Sequence, residues 1–175
     1  MVFKPADQRE ANILAQLYPP FKAQLEDTLQ KCREAGLAVY IFEGMRTVER
    51  QRELYAKGRD TSGRVVDKRL VVTNAKPGSS FHNYGLGADL VFDGIPSTLK
   101  VDWSWSDKMP WDKMGQIAQG CGLEWAGKWR SFPEKPHVQL RTGLTVAQFQ
   151  EAYKRGGLGE VWKLIDAELL SKNIG

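Results

Sequence analysis

Apolar residues recur at helical spacing early in the chain. Phe21, Leu25, Leu29 and Cys32 form one stripe that runs to Glu34, and Gly36 is placed to end it. Ahead of it, Asp7 and Glu10 make a capping-box-like pair, Ile13, Leu14 and Leu17 supply a stripe, and Pro19-Pro20 closes that element. The pattern then changes. Leu37 to Phe42 is a short β-prone run, and Thr47 is placed to cap a helix through Ala56 that Gly58 closes. Residues 58–69, rich in Arg, Gly and Asp, read as an exposed loop, and Val71-Val72-Thr73 as a short strand. Ala88 to Asp93 alternates and reads as a central strand. A Trp-rich connection (Trp103, Trp105, Trp111) leads to a helix over 111–119 with Gly120 and Gly122 as stops. His137 to Leu140 reads as another strand, and two helices, 145–154 and 159–171, flank Gly156-Gly157. This order predicts one α+β domain, a small antiparallel sheet flanked by helices, with no repeat and no linker.

Composition narrows the class. An apolar content of 42% suits a packed globule. No apolar run approaches the roughly 20 residues that cross a bilayer, so no membrane insertion is expected. The opening MVFKPADQREAN has no apolar h-region, which predicts synthesis in the cytoplasm without a signal peptide. Cys32 and Cys121 fall in no CxxC pattern and read as reduced, mostly buried thiols.

The net charge is +4, and it is concentrated. Between residues 46 and 69, eight basic side chains stand against Glu49, Glu53, Asp60 and Asp67, a local balance of +4. Such a stretch suits nucleic acid, an anionic wall polymer or a phospholipid surface, or simply a solvated helix face. The six tryptophans are scattered among glycine turns and read as core and cleft walls rather than a stacking platform, so nucleic acid is not an expected partner.

The chain has two histidines, His82 and His137. With Asp89, seven residues after His82, they would fill three positions of a tetrahedral zinc and leave one for water. Glu134 stands three residues before His137, placed to act as the base toward that water. Arg46, just past a predicted strand, offers a permanent cation for an oxyanion. Spacing alone leaves other readings open: hydrogen-bonded structural histidines, or a two-histidine-one-carboxylate iron site, which has no call for a carboxylate placed like Glu134.

The string Ser80-x-His82-x-x-Gly85-x-Gly87-Ala88-Asp89 resembles the signature of the zinc D-Ala-D-Ala metallopeptidases. That family includes vancomycin-resistance dipeptidases and carboxypeptidases and the L-alanyl-D-glutamate endopeptidases of phages and sporulating bacteria. Glu134-Lys135-Pro136-His137 is similar to its second signature, and Gly44-Met45-Arg46-Thr47 to its third. Gln51 to Arg59 resembles the segment that follows in endopeptidase members. The match runs from about residue 20 to 142, in family order. One departure is Trp125-Ala126-Gly127-Lys128-Trp129, where endopeptidases often carry Trp-Gly-Gly-Asp-Trp.

The resemblance implies one zinc held by His82, Asp89 and His137 at strand ends, Glu134 as catalytic acid/base, and Arg46 as oxyanion stabiliser and substrate contact. Ser80 would lie in the substrate cleft. It implies a zinc peptidase domain over 1–175: an N-terminal helix over 1–19, a core over 20–142 carrying the motifs, and C-terminal helices over 143–175. The implied reaction is hydrolysis of the L-Ala–D-Glu bond of peptidoglycan stem peptides. The expected setting is a monomeric phage or prophage endolysin, released to the wall by a separate holin-type protein. The alternatives are a D-Ala-D-Ala carboxypeptidase of the same family, or a wall-binding module without catalysis. Retention of Glu134 argues against the latter.

Overall fold

The computed structural model describes residues 8–95 and 101–173. Their architecture is a small α+β domain of helices and an open antiparallel sheet. Contacts within the chain cluster into two compact units. The first joins the residues up to 45 with 85–141, and the second joins 46–84 with the residues from 142 on.

The first unit holds helices α1 (Gln8–Leu14), α2 (Pro19–Glu34) and α4 (Trp111–Gly120) and the whole sheet: β1 (Val39–Glu43), β2 (Gly87–Asp93), β3 (Trp103–Ser104), β4 (Leu123–Trp125) and β5 (His137–Leu140). The order is β1-β2-β5-β4, all antiparallel, with β3 paired to β2. β2 is therefore the central strand, as its alternation predicts. The Phe21–Cys32 stripe is buried, and Gly36 ends α2 in the left-handed region at φ 77°. In α1 the buried residue is Glu10, while of the apolar stripe Ile13 and Leu14 are half-buried and Leu17 is buried just past the helix; Glu10 Oε1 accepts from the Ile41 amide at 2.9 Å and so ties the helix to β1. Asp7, assigned to the start of this helix, lies outside the described residues.

The second unit holds α3 (Val48–Ala56), α5 (Val146–Gly156) and α6 (Leu158–Asn173), with short 3-10 turns at Lys68–Leu70 and Phe81–Tyr84. Thr47 caps α3 by accepting from the Arg50 amide at 3.0 Å, and Gly58 follows at φ 73°. Thr145 and Gln148 form a capping box for α5. Phe149, buried on α5, packs edge-on against Phe81 and tilted against Tyr84.

One expectation needs correction. Val71 to Thr73 is not a strand: among the described residues no segment pairs with it, the Val71 amide closes the preceding 3-10 turn, and Val72 is exposed. The Trp-rich connection supplies β3 and the stretch after Gly122 supplies β4, two short strands beyond those expected. In the basic segment, Arg50, Arg52, Arg64 and Arg69 pair with Glu53, Glu49, Asp60 and Asp67. These are exposed local pairs, which contribute little to stability.

Candidate metal centre and active site

Antiparallel pairing of β2 with β5 makes Asp89 and His137 direct partners across the ladder. His137 opens β5 and is buried; its Nδ1 stands 3.1 Å from Oδ1 of Asp89. Its Nε2 lies 3.0 Å from Oε1 of Gln139, two residues on and hence on the same face of the strand. An amide oxygen only accepts, so Nε2 carries the proton of a neutral ring and Nδ1 presents a lone pair. Two acceptors then face each other at 3.1 Å, which requires a cation between or beside them. A proton would serve, and so would a metal ion.

Glu134 precedes this strand. Its amide donates to Ala126 O at 3.2 Å and its carbonyl accepts from the His137 amide at 3.1 Å, a turn that holds Glu134 beside the histidine. Burial opposes charge on His137, but the Asp89 carboxylate, through its hydrogen bond and its charge, outweighs it. With Glu134 and Gln139 adding to this, the His137 pKa is raised above the ordinary imidazole value.

His82 sits in the 3-10 turn Phe81–Tyr84, before Gly85 turns the chain at φ 70°. A side chain at Gly85 would press on the Gln16 carbonyl at 3.0 Å, so glycine is required there on both counts. The turn is built locally. Ser80 Oγ accepts from the His82 amide at 3.3 Å, and Asn83 Oδ1 accepts from the Ser80 amide at 3.2 Å. The Arg46 amide donates to the His82 carbonyl at 2.9 Å, and Asn83 Nδ2 returns a bond to Arg46 O at 3.0 Å. Arg46 is buried, and its Nη1 donates to Gln51 Oε1 at 2.8 Å; Gln51 Nε2 in turn donates to Ala75 O at 2.7 Å. The guanidinium is thus aimed by an amide side chain one helical turn into α3.

One ligand atom from each of His82, Asp89 and His137 lies within 4.8 Å of the others. Two imidazole nitrogens and a carboxylate oxygen at that spacing fit a divalent ion of zinc type. The structure thus brings together the three residues that the motifs single out, and places Glu134 beside one of them. Gln51, Asn83 and Gln139 were not singled out for these roles. The alternation along β5 is the signal that could have found Gln139, since it puts that residue on the His137 face.

The VanY family, described as D-alanyl-D-alanine carboxypeptidase, matches residues 15–138. The peptidoglycan L-alanyl-D-glutamate endopeptidase CwlK of Bacillus subtilis is 34% identical over 128 residues, covering 71% of this chain and 73% of CwlK. The L-alanyl-D-glutamate peptidase of Listeria phage A118 is 27% identical over 119 residues, covering 68% of this chain but 36% of that protein. Among solved structures, the Serratia marcescens L-Ala D-Glu endopeptidase ChiX aligns with a TM-score of 0.54 at 21% identity, over 77% of this chain and 87% of ChiX. The vancomycin-resistance D,D-pentapeptidase VanY, in complex with Zn(II), aligns at 0.51 and 21% identity, over 81% of this chain and 80% of that one. At that identity the two structures speak for the fold.

Proposed function

The chain belongs to the VanY family of peptidases, and from that premise we propose that it is a zinc-dependent peptidoglycan peptidase cutting the L-Ala–D-Glu bond of stem peptides. The observation that carries the reading is the convergence of ligand atoms from His82, Asp89 and His137 within 4.8 Å. The choice of bond is supported by the CwlK likeness.

Zinc held by these residues supplies Lewis acidity at the scissile carbonyl and lowers the pKa of a bound water. The chain's own groups do the rest. Glu134 takes the proton from the attacking water and delivers it to the leaving amine, two transfers that a single carboxylate beside the site can perform in turn. Arg46 holds a charge that no working pH removes, and Gln51 fixes its direction, so it meets the developing oxyanion without reorganisation. Ser80, buried and committed to the His82 turn, shapes the cleft wall more than it contacts substrate.

The whole of 1–175 then acts as one monomeric catalytic domain, made in the cytoplasm and working on the wall. We extend this to a role as a phage or prophage endolysin that reaches the wall through a holin-type protein; the Listeria phage relative supports the phage setting alone. Among the described residues no helix is long and apolar enough to cross a membrane.

The test is digestion of purified sacculi by the zinc-loaded protein, followed by mass analysis of the fragments. New amino-terminal D-glutamate is the expected product. Release of terminal D-alanine alone would transfer the chain to the carboxypeptidase reading that the family description favours. Binding of sacculi with no bond cut would reduce it to a wall-binding module.

A further inference from the structure

His137 is the start of a closed side-chain circuit that runs through Gln139, Glu124 and Trp129. Its Nε2 meets Gln139 Oε1 at 3.0 Å, and Gln139 Nε2 donates to Glu124 Oε2 at 3.1 Å. Glu124 Oε1 accepts from Trp129 Nε1 at 2.7 Å, and the Trp129 ring packs back on His137 with centroids 5.7 Å apart. The sheet builds this circuit. Gln139 and Glu124 are register partners on β5 and β4, and Gln139 shares the face of His137.

We infer that Glu124 is a positioning residue that selects the tautomer of His137 through the Gln139 amide, and so sets which ring nitrogen is offered to the metal. A carboxylate only accepts, so Glu124 obliges Gln139 to turn its NH2 outward and its carbonyl oxygen toward His137. That oxygen demands a proton on Nε2. The neutral ring is left with its lone pair on Nδ1, the nitrogen facing Asp89. Trp129 occupies the other carboxylate oxygen and keeps Glu124 from turning away. An amide alone could flip at small cost; an amide anchored on a carboxylate cannot. Outer partners of this kind commonly change metal affinity by about 10–100-fold when lost.

The inference rests on the metal-site reading, and the experiment separates the two. Glu124→Gln keeps the volume and an oxygen for Trp129, but turns an NH2 toward Gln139. The Gln139 amide then flips, its NH2 faces His137, and the ring proton moves to Nδ1. Zinc affinity, measured by chelator competition, is expected to fall about 10–100-fold. The His137 Nε2–H correlation in long-range proton–nitrogen spectra of the zinc-loaded protein is expected to disappear. The double variant Glu124→Gln/Gln139→Glu restores the polarity with the charge moved by one residue, and is expected to recover both signals.

A merely structural role would not be rescued by that exchange. Unchanged zinc affinity and an unchanged Nε2–H signal in Glu124→Gln would overturn the inference, as would a double variant no better than the single one. If the single variant does not fold, the double variant decides alone. If the wild-type protein binds no zinc, the metal reading fails. Spectra of the metal-free protein, taken above the His137 pKa, would still report whether Glu124 sets the position of the proton.

Discussion

Asp89 and His137 face each other across the β2–β5 ladder as direct register partners, with Oδ1 and Nδ1 3.1 Å apart. A strand pairing thus sets the distance between two proposed ligands that lie 48 residues apart in sequence. Distances set by a ladder are stiffer than those set by loops, which suits a site whose ligands must not collapse onto each other when the ion leaves.

That pairing has a consequence for pH. A metal bound at this site would take the nitrogen that a proton otherwise holds, and the His137 pKa is raised, so the proton competes at higher pH than at an ordinary imidazole. Zinc affinity is expected to decline on acidification from above the usual midpoint of about 6.5. In the metal-free protein the sign follows the raised folded-state pKa. The stability from the His137–Asp89 pair is complete below the unfolded value and is lost as pH rises through the folded one. Chelator competition and thermal melts of the metal-free protein across pH check both. An affinity midpoint at or below the ordinary imidazole value would contradict the assignment.

Glu134→Gln is expected to leave the zinc content and fold unchanged and to lower the rate of sacculus digestion by about 10²–10⁴-fold, since both proton transfers lose their carrier. Glu134 is not among the three ligand-set residues, so a loss of metal in this variant would mean its role has been misassigned.

Arg46 makes a different demand. Arg46→Lys keeps the charge but loses the planar fork that Gln51 orients at 2.8 Å. Catalysis is expected to fall about 10²–10³-fold with zinc affinity unchanged, the size seen when one oxyanion donor is removed. Gln51→Ala is expected to lower the same rate by a smaller factor, because the guanidinium stays but is no longer aimed. Equal kcat in Gln51→Ala and wild type would show that the 2.8 Å contact does not serve catalysis.

The residues proposed to carry the chemistry stand out in the sequence because they sit in short, punctuated segments. His82 and Asp89 fall on a turn and the strand after it, and Glu134 and His137 on a turn and the strand it opens. The residues that hold them in place do not. Gln51 and Glu124 are polar side chains with no periodicity of their own, and Gln139 is marked only by its alternation with His137; their partners appear only when β4 pairs with β5 or α3 packs beside a loop. β4 itself is three residues long, too short for alternation to declare it. Val71 to Thr73 erred the other way: a β-branched run is a strand only if a partner offers a ladder.

Trp125 ties α4 to the segment that carries Glu134 and His137, and a glycine beside it gives a stability test. A Cβ on Gly115 of α4 would lie 2.1 Å from the Trp125 ring, and one on Gly127 would meet the same ring at the same distance. The indole is thus closely approached by two glycines and cannot move aside without strain. Its Nε1 donates to the Lys135 carbonyl at 2.7 Å, which anchors the peptide between Glu134 and His137. Gly115→Ala replaces a residue of poor helix propensity, which alone would stabilise α4 by up to about 1 kcal/mol. The clash is with the rigid ring of a buried residue, so overpacking of about 1–3 kcal/mol prevails. A fall in Tm of several degrees is expected in calorimetry, at about 2–4 °C per kcal/mol for a chain of this length. Digestion should weaken as well, because the displaced indole pulls on Lys135 and disturbs the spacing of Glu134 and His137. A variant as stable as wild type would show that α4 can slide to admit the methyl group, and the anchoring assigned to Trp125 would then have to be given up.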